Sequence, residues 1–211
     1  MDNPRICIDA RLDPGFSGGI EQVVTGLARG LSSLSDGDEE YYFLTYAGND
    51  AWLAPYMGGP CRLLHCRRSL QHTLRRTIAS RFPLLRRLLE KAGSMAVEKA
   101  INIPQSDGTI EQAGIDLMHF TFQAAFVTDI PSIYHPHDLQ HIHLPEYFSE
   151  YERQGRSLVY KRFCDQARMI AVSSSWVRQD IHDQLGIALE KISVVPLAPS
   201  TEACASHTPE E

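Results

Sequence analysis

Apolar positions along this chain change period repeatedly, and each change marks where one element ends and the next begins. The run Arg5-Ile-Cys-Ile-Asp-Ala10 is short, apolar and β-branched, and Pro14, Gly15, Gly18 and Gly19 punctuate the next ten residues. It predicts a first buried strand leaving into a tight loop. From Ile20 the period becomes helical: Ile20, Val23, Val24, Leu27, Ala28 and Leu31 fall on one side of an amphipathic helix. Further strands are predicted over Tyr41 to Ala47, Arg62 to Cys66, Asp116 to Phe120, Pro131 to Tyr134, Arg168 to Ser173 and Lys191 to Pro196. Helices are predicted over Ser149 to Ala167 and Ser175 to Leu185, the second stopped by Gly186. Between Asn102 and Gly114, the residues Pro104, Asp107, Gly108 and Gly114 read as a polar loop. Strands separated by helices of this length imply an α/β fold, a parallel sheet with helices on both faces. The folded domain is expected over residues 1–199, with 200–211 a polar tail that lacks periodicity.

A strand, a glycine loop and a helix in that order make a phosphate-binding geometry. Glycines let backbone N–H groups approach an anion, and the first-turn N–H groups together with the macrodipole favour negative charge. Gly18 and Gly19 are the expected contacts. The pair lacks both the G-x-G-x-x-G dinucleotide fingerprint and the G-x-x-x-x-G-K phosphate loop, so a plain structural turn is the competing reading.

Composition adds a frame. The 211 residues are 43% hydrophobic and 22% charged, ordinary for a globular α/β domain. Cys7, Cys61, Cys66, Cys164 and Cys204 are odd in number and show no C-x-x-C spacing, which suggests neither a disulfide framework nor a zinc ribbon. No apolar signal core and no stretch of about 18 apolar residues is present, so a cytoplasmic location is expected.

The net charge of −6 hides an asymmetry. Arg62, Arg67, Arg68, Arg75, Arg76, Arg81, Arg86, Arg87 and Lys91 crowd one segment against Glu90 alone. On a helix, Leu70, Leu74 and Ile78 fall opposite Arg68, Arg75 and Arg76, until Pro83 breaks the run. This patch reads either as a solvated helix packed through its leucines or as a surface for an acidic acceptor or anionic lipid at the inner membrane face. Nucleic acid is not expected, because Phe82 is the only aromatic residue among the arginines.

A second chemical cluster, Tyr134-His-Pro-His-Asp-Leu-Gln-His-Ile-His143, follows a predicted strand. In open α/β sheets that edge binds ligands. His137 beside Asp138 pairs a hydrogen-bonding ring with a carboxylate able to orient it or to bind a sugar hydroxyl. A metal reading would use His137 and His141, four apart, with Asp138 and Glu146 nearby. Pro136 and Pro145 argue for a turn instead of the helix that such spacing needs, and no metal is expected. His119, His141 and His143 are expected to be satisfied mostly by backbone, and His135 stays open.

Taken in order, the glycine pair opening the first helix, the Asp-Leu-Met-His strand, His137-Asp138, Ala171-Val-Ser-Ser-Ser-Trp-Val-Arg-Gln-Asp-Ile181 and Lys191-Ile-Ser-Val-Val-Pro196 resemble the N-terminal domain of family 4 glycosyltransferases, of the GT-B fold. The resemblance covers nearly the whole chain. It implies a Rossmann-like, acceptor-side domain facing a second domain that holds a nucleoside-diphosphate sugar. It further implies retaining transfer of that sugar to an acceptor hydroxyl of a glycan or lipid-linked acceptor, with no cofactor or essential metal. Gly18 and Gly19 would approach the donor diphosphate and His137 the transferred sugar, with Asp138 in support. Ser173 and Ser174, with Ser175, could touch acceptor where a strand enters a helix, although an ordinary N-cap explains them as well. The family's second domain supplies a basic pair and two glutamates eight positions apart, and these are expected outside this sequence, either in a longer protein of which this is an excised domain or on a separate donor-binding chain of a split pair. The isolated chain is therefore expected to show little or no transfer. A non-catalytic glycan- or lipid-headgroup-binding module is the second reading, and an unrelated Rossmann-like dehydrogenase or metal hydrolase the third.

Overall fold

The computed structural model describes residues 3–15, 17–67 and 103–197. Seven strands form one sheet: β1 (Arg5–Asp9), β2 (Glu40–Tyr46), β3 (Cys61–Cys66), β4 (Leu117–Phe120), β5 (Ser132–Tyr134), β6 (Met169–Val172) and β7 (Ile192–Val194). Their order is β3-β2-β1-β4-β5-β6-β7, and every neighbouring pair is parallel. The described helices are α1 (Gly19–Ser32), α2 (Thr109–Gln112), α3 (Gln140–His143), α4 (Glu150–Gln166) and α5 (Ser175–Leu185). This is the expected α/β, Rossmann-like sheet.

Alternation along the strands divides the core between two faces. Ile8 of β1 and Phe43 of β2 pair in register and pack with Val24 and Ala28 of α1 on one face. Cys7, Met118, Phe120, Tyr134, Ile170 and Val172 pack on the other face with Tyr160, Phe163 and Cys164 of α4 and Val177, Ile181 and Leu185 of α5. Helices therefore cover both faces. Helix ends follow local chemistry. Ser149 and Glu152 close a capping box at the start of α4, and Ser174 Oγ accepts from Val177 N at 3.3 Å at the start of α5. Gly186, in the left-handed region at φ 65°, ends α5.

Two segments depart from expectation: between Pro136 and Pro145, where a turn is expected, Gln140–His143 forms the short helix α3, and the second lies before β4. The stretch over residues 102–114 is not loop throughout: it contains the helical turn α2, and Gln105 bridges to Val127. Asp107 Oδ1 accepts from Thr109 N at 3.0 Å, and Ile110 buries its side chain, which together stabilise one turn inside a polar stretch. The four described cysteines are free and buried, and burial pushes Cys164 up to about 12 and Cys66 up to about 11, so these thiols are unreactive. Arg68, Arg75, Arg76, the Pro83 break, Cys204 and the 200–211 tail lie outside the described residues.

Candidate functional site at the switch point of the sheet

After β1 the chain builds β2 and β3 on one side and then returns to place β4 on the other. The strand order reverses at β1, and the carboxyl ends of β1 and β4 border the crevice where open α/β sheets take ligands. Asp9, the last residue of β1, is fully buried there. Its carboxylate accepts from Arg11 Nε at 2.8 Å and Nη2 at 2.6 Å, and the Arg11 guanidinium lies 4.6 Å from the centre of the Phe126 ring. The carboxylate holds the Arg11 pKa above its usual value, against the opposing effect of burial.

Hydrogen bonds connect this corner to the histidine turn. Thr121, immediately after β4, donates its hydroxyl to the Asp9 carbonyl at 2.6 Å. The Thr121 carbonyl in turn lies 2.9 Å from His137 Nε2. A carbonyl only accepts, so Nε2 carries a proton, and Nδ1 is the ring nitrogen left for another partner. His137 is held at φ 66°, a left-handed backbone that is uncommon outside glycine. Its ring stacks on His135, with centroids 4.1 Å apart and planes 19° apart.

Behind His137 the polar groups lack partners. His135 is 5% exposed, and the Nε2 atoms of both His135 and His119 are buried without a hydrogen bond. Burial lowers the His119 pKa to about 4, opposed by nearby Asp9; burial, His137 and His119 lower that of His135 to about 3. Both rings are neutral at physiological pH.

The glycine loop borders the same edge. Gly18, at φ 54° and ψ −132°, adopts a backbone that side chains disfavour, and α1 begins at Gly19. A Cβ on Gly15, Gly18 or Gly19 would meet no atom within 4 Å, so the loop backbone faces open space. Glu21 in the first turn of α1 accepts from Gly15 N at 2.9 Å and pins the loop to the helix.

The other expected residues have definite places. Asp138 accepts from Gln140 N at 3.3 Å and Gln140 Nε2 at 3.1 Å, which shapes the turn into α3. Ser174 is the N-cap of α5, and Ser173 stands half-buried between β6 and that cap. Arg67 is exposed at the end of β3, with its backbone N–H on Asp107. The expectation of backbone partners for three histidines is corrected. His141 Nε2 meets Ser157 Oγ at 3.2 Å, His143 Nε2 meets both Asp180 oxygens at 2.8 Å, and His119 Nε2 has no partner. Sequence reasoning missed Asp9, Arg11 and Thr121. A carboxylate inside an apolar strand with an arginine two residues on was the signal that could have revealed the first two.

Among the described residues, no three histidine, cysteine or carboxylate side chains come together as a metal cluster. No helix among them is long and apolar enough to cross a membrane. No match is found among curated proteins. Among solved structures, the chain is similar to a glycosyltransferase from Rickettsia africae ESF-5, at 10% identity and a TM-score of 0.44. The likeness covers 93% of this chain and 43% of that one, so the chain spans less than half the length of that structure. The family model described as Glycosyltransferase Family 4 matches residues 17–202. That span takes in α1, the histidine turn and β2 to β7, all but the first strand of the sheet, and the chain belongs to glycosyltransferase family 4.

Proposed function

We propose that this chain is the acceptor-side lobe of a retaining glycosyltransferase, moving a sugar from a nucleoside-diphosphate donor to an acceptor hydroxyl against a separate donor-binding lobe. One observation carries the reading: the hydrogen bonds that run from the Asp9 carbonyl through Thr121 to His137 tie the glycine-loop strand to the histidine turn. In that role the first-turn N–H groups of α1 and the open backbone at Gly18 and Gly19 face the leaving diphosphate and stabilise its growing charge. His137, its Nε2–H engaged by Thr121, offers Nδ1 to a hydroxyl of the transferred sugar. Asp138 acts through the turn it shapes, and Ser173 lines the acceptor side. The neutral rings of His119 and His135 behind this edge keep a second positive charge away from the reacting sugar.

The test supplies the other lobe. The chain is expressed alone and together with a donor-binding domain from a family relative, and sugar transfer to glycan and lipid-linked acceptors is followed. The pair is expected to turn over, the lone chain to show little, and His137→Ala to lower transfer by about 100-fold. Turnover by the lone chain equal to that of a full-length relative would overturn the half-site reading.

A further inference from the structure

Trp176, the second residue of α5, is 63% exposed, and Tyr147, in the 3-10 turn Pro145–Tyr147, is 76% exposed. Trp176 follows β6 and Tyr147 follows β5, so both rings stand in water at the carboxyl edge of the sheet. The Trp176 indole lies 5.5 Å from the His143 ring, at 52°. Asp180, four residues after Trp176 and so on the same face of α5, is only 7% exposed, and it receives His143 Nε2 on both oxygens. A carboxylate accepts, so Nε2 donates, and Nδ1 is the ring nitrogen turned to any further partner. An apolar aromatic surface therefore adjoins a braced hydrogen-bonding edge, six residues along the chain from His137.

We infer that Trp176 and His143 form a stacking subsite for a pyranose ring of the acceptor, with Asp180 as the positioning residue for His143. This rests on the glycosyl-transfer reading. A pyranose has an apolar C–H face and a rim of hydroxyl groups, the complement of an indole face beside an imidazole nitrogen. Charge argues against an anionic bilayer as the occupant. From Leu144 to Glu152 the chain carries Glu146, Glu150 and Glu152 and no lysine or arginine. Of the adjoining bases, Arg153 pairs with Glu150, Arg178 donates to the carbonyls of Leu189 and Ile192, and Arg156 lies over the Phe148 ring at 4.7 Å and donates to Tyr160 Oη at 3.5 Å. A neutral polyol meets no repulsion there.

The chain has two tryptophans, which makes the test direct. The indole N–H signals of Trp176 and Trp52 are followed by NMR during titration of the full chain. The probes are methyl glycosides of glucose, galactose, mannose and N-acetylglucosamine, their disaccharides, and phosphatidylglycerol–phosphatidylcholine vesicles. Trp52, whose Nε1 donates to the Asn49 carbonyl at 3.1 Å, is the internal control. At least one saccharide is expected to shift Trp176 saturably and leave Trp52 in place. Trp176→Ala should weaken that binding about tenfold, with partial rescue by Trp176→Phe. A Trp176 signal silent to every saccharide, or responsive to vesicles alone, overturns the subsite even if a donor lobe restores transfer. A saccharide response at Trp176 with no transfer from the two-lobe pair would keep the subsite and remove the transferase reading.

Discussion

Two strand entrances, at Gly59 and Gly114, and the glycine loop after β1 treat their glycines in opposite ways. At the amino end, a Cβ on Gly59 would lie 2.5 Å from the Ser32 carbonyl oxygen, and one on Gly114 would lie 3.3 Å from Arg5 Nη1. Arg5 there gives its backbone N–H to Asp116 at 2.8 Å and its guanidinium to the Ala113 carbonyl at 3.0 Å. At the carboxyl end, Gly15, Gly18 and Gly19 have nothing within 4 Å of an added Cβ, and two buried imidazole nitrogens lack partners. The entrances at Gly59 and Gly114 are closed around their glycines; the glycine loop is open and lies at the end of the sheet where His119 and His135 leave hydrogen-bonding capacity unused. Folding explains the first arrangement, and ligand binding is the natural account of the second.

Substitutions can break that contrast or sharpen it. The largest effect is expected from Asp9→Ala, which strands the buried Arg11 guanidinium and should cost about 3–5 kcal/mol in denaturant unfolding. Arg11→Met in the same chain should recover part of the loss. Gly59→Ala, with φ at +52° and a backbone oxygen in the way, should cost about 2–4 kcal/mol. Gly18→Ala meets strain without collision, and about 1–3 kcal/mol is expected. A Gly18 variant that proves as costly as the Gly59 variant would erase the difference between the ends.

Acid should act through the carboxyl end. His119 and His135 have folded pKa values lowered from 6.5 to about 4 and about 3, so below 6.5 the unfolded chain takes up protons that the folded chain refuses. Stability therefore falls as pH drops from about 6.5 toward about 4. His135→Phe should flatten that slope in thermal unfolding followed across pH. Smallest in stability is Gly19→Ala, within about 0.5 kcal/mol of the parent because the new methyl meets no atom. The same methyl projects into the space proposed for the diphosphate and should weaken nucleotide-sugar binding by the assembled pair, read by calorimetry.

The strands were legible because their apolar runs are bounded by turn residues, and α1, α4 and α5 because period and capping residues agree. Short α2 escaped notice, since one turn with a single buried apolar residue, Ile110, has no periodicity to detect. The glycine loop and His137 were legible as motifs. Their connection through Thr121 was not, because it joins residues 112 and 16 positions apart. The same holds for His141 and His143, whose partners Ser157 and Asp180 sit on other helices. Sequence order reveals which groups exist; the parallel crossovers decide which of them meet.

Glu21 gives the helix start a tenant of its own. Its carboxylate already holds the Gly15 N–H, in the loop that leads to the N–H groups proposed for a diphosphate. Under the proposed function, an anion that competed for the Gly15 N–H would free the Glu21 carboxylate, and the loop would let go of the helix as the ligand came in.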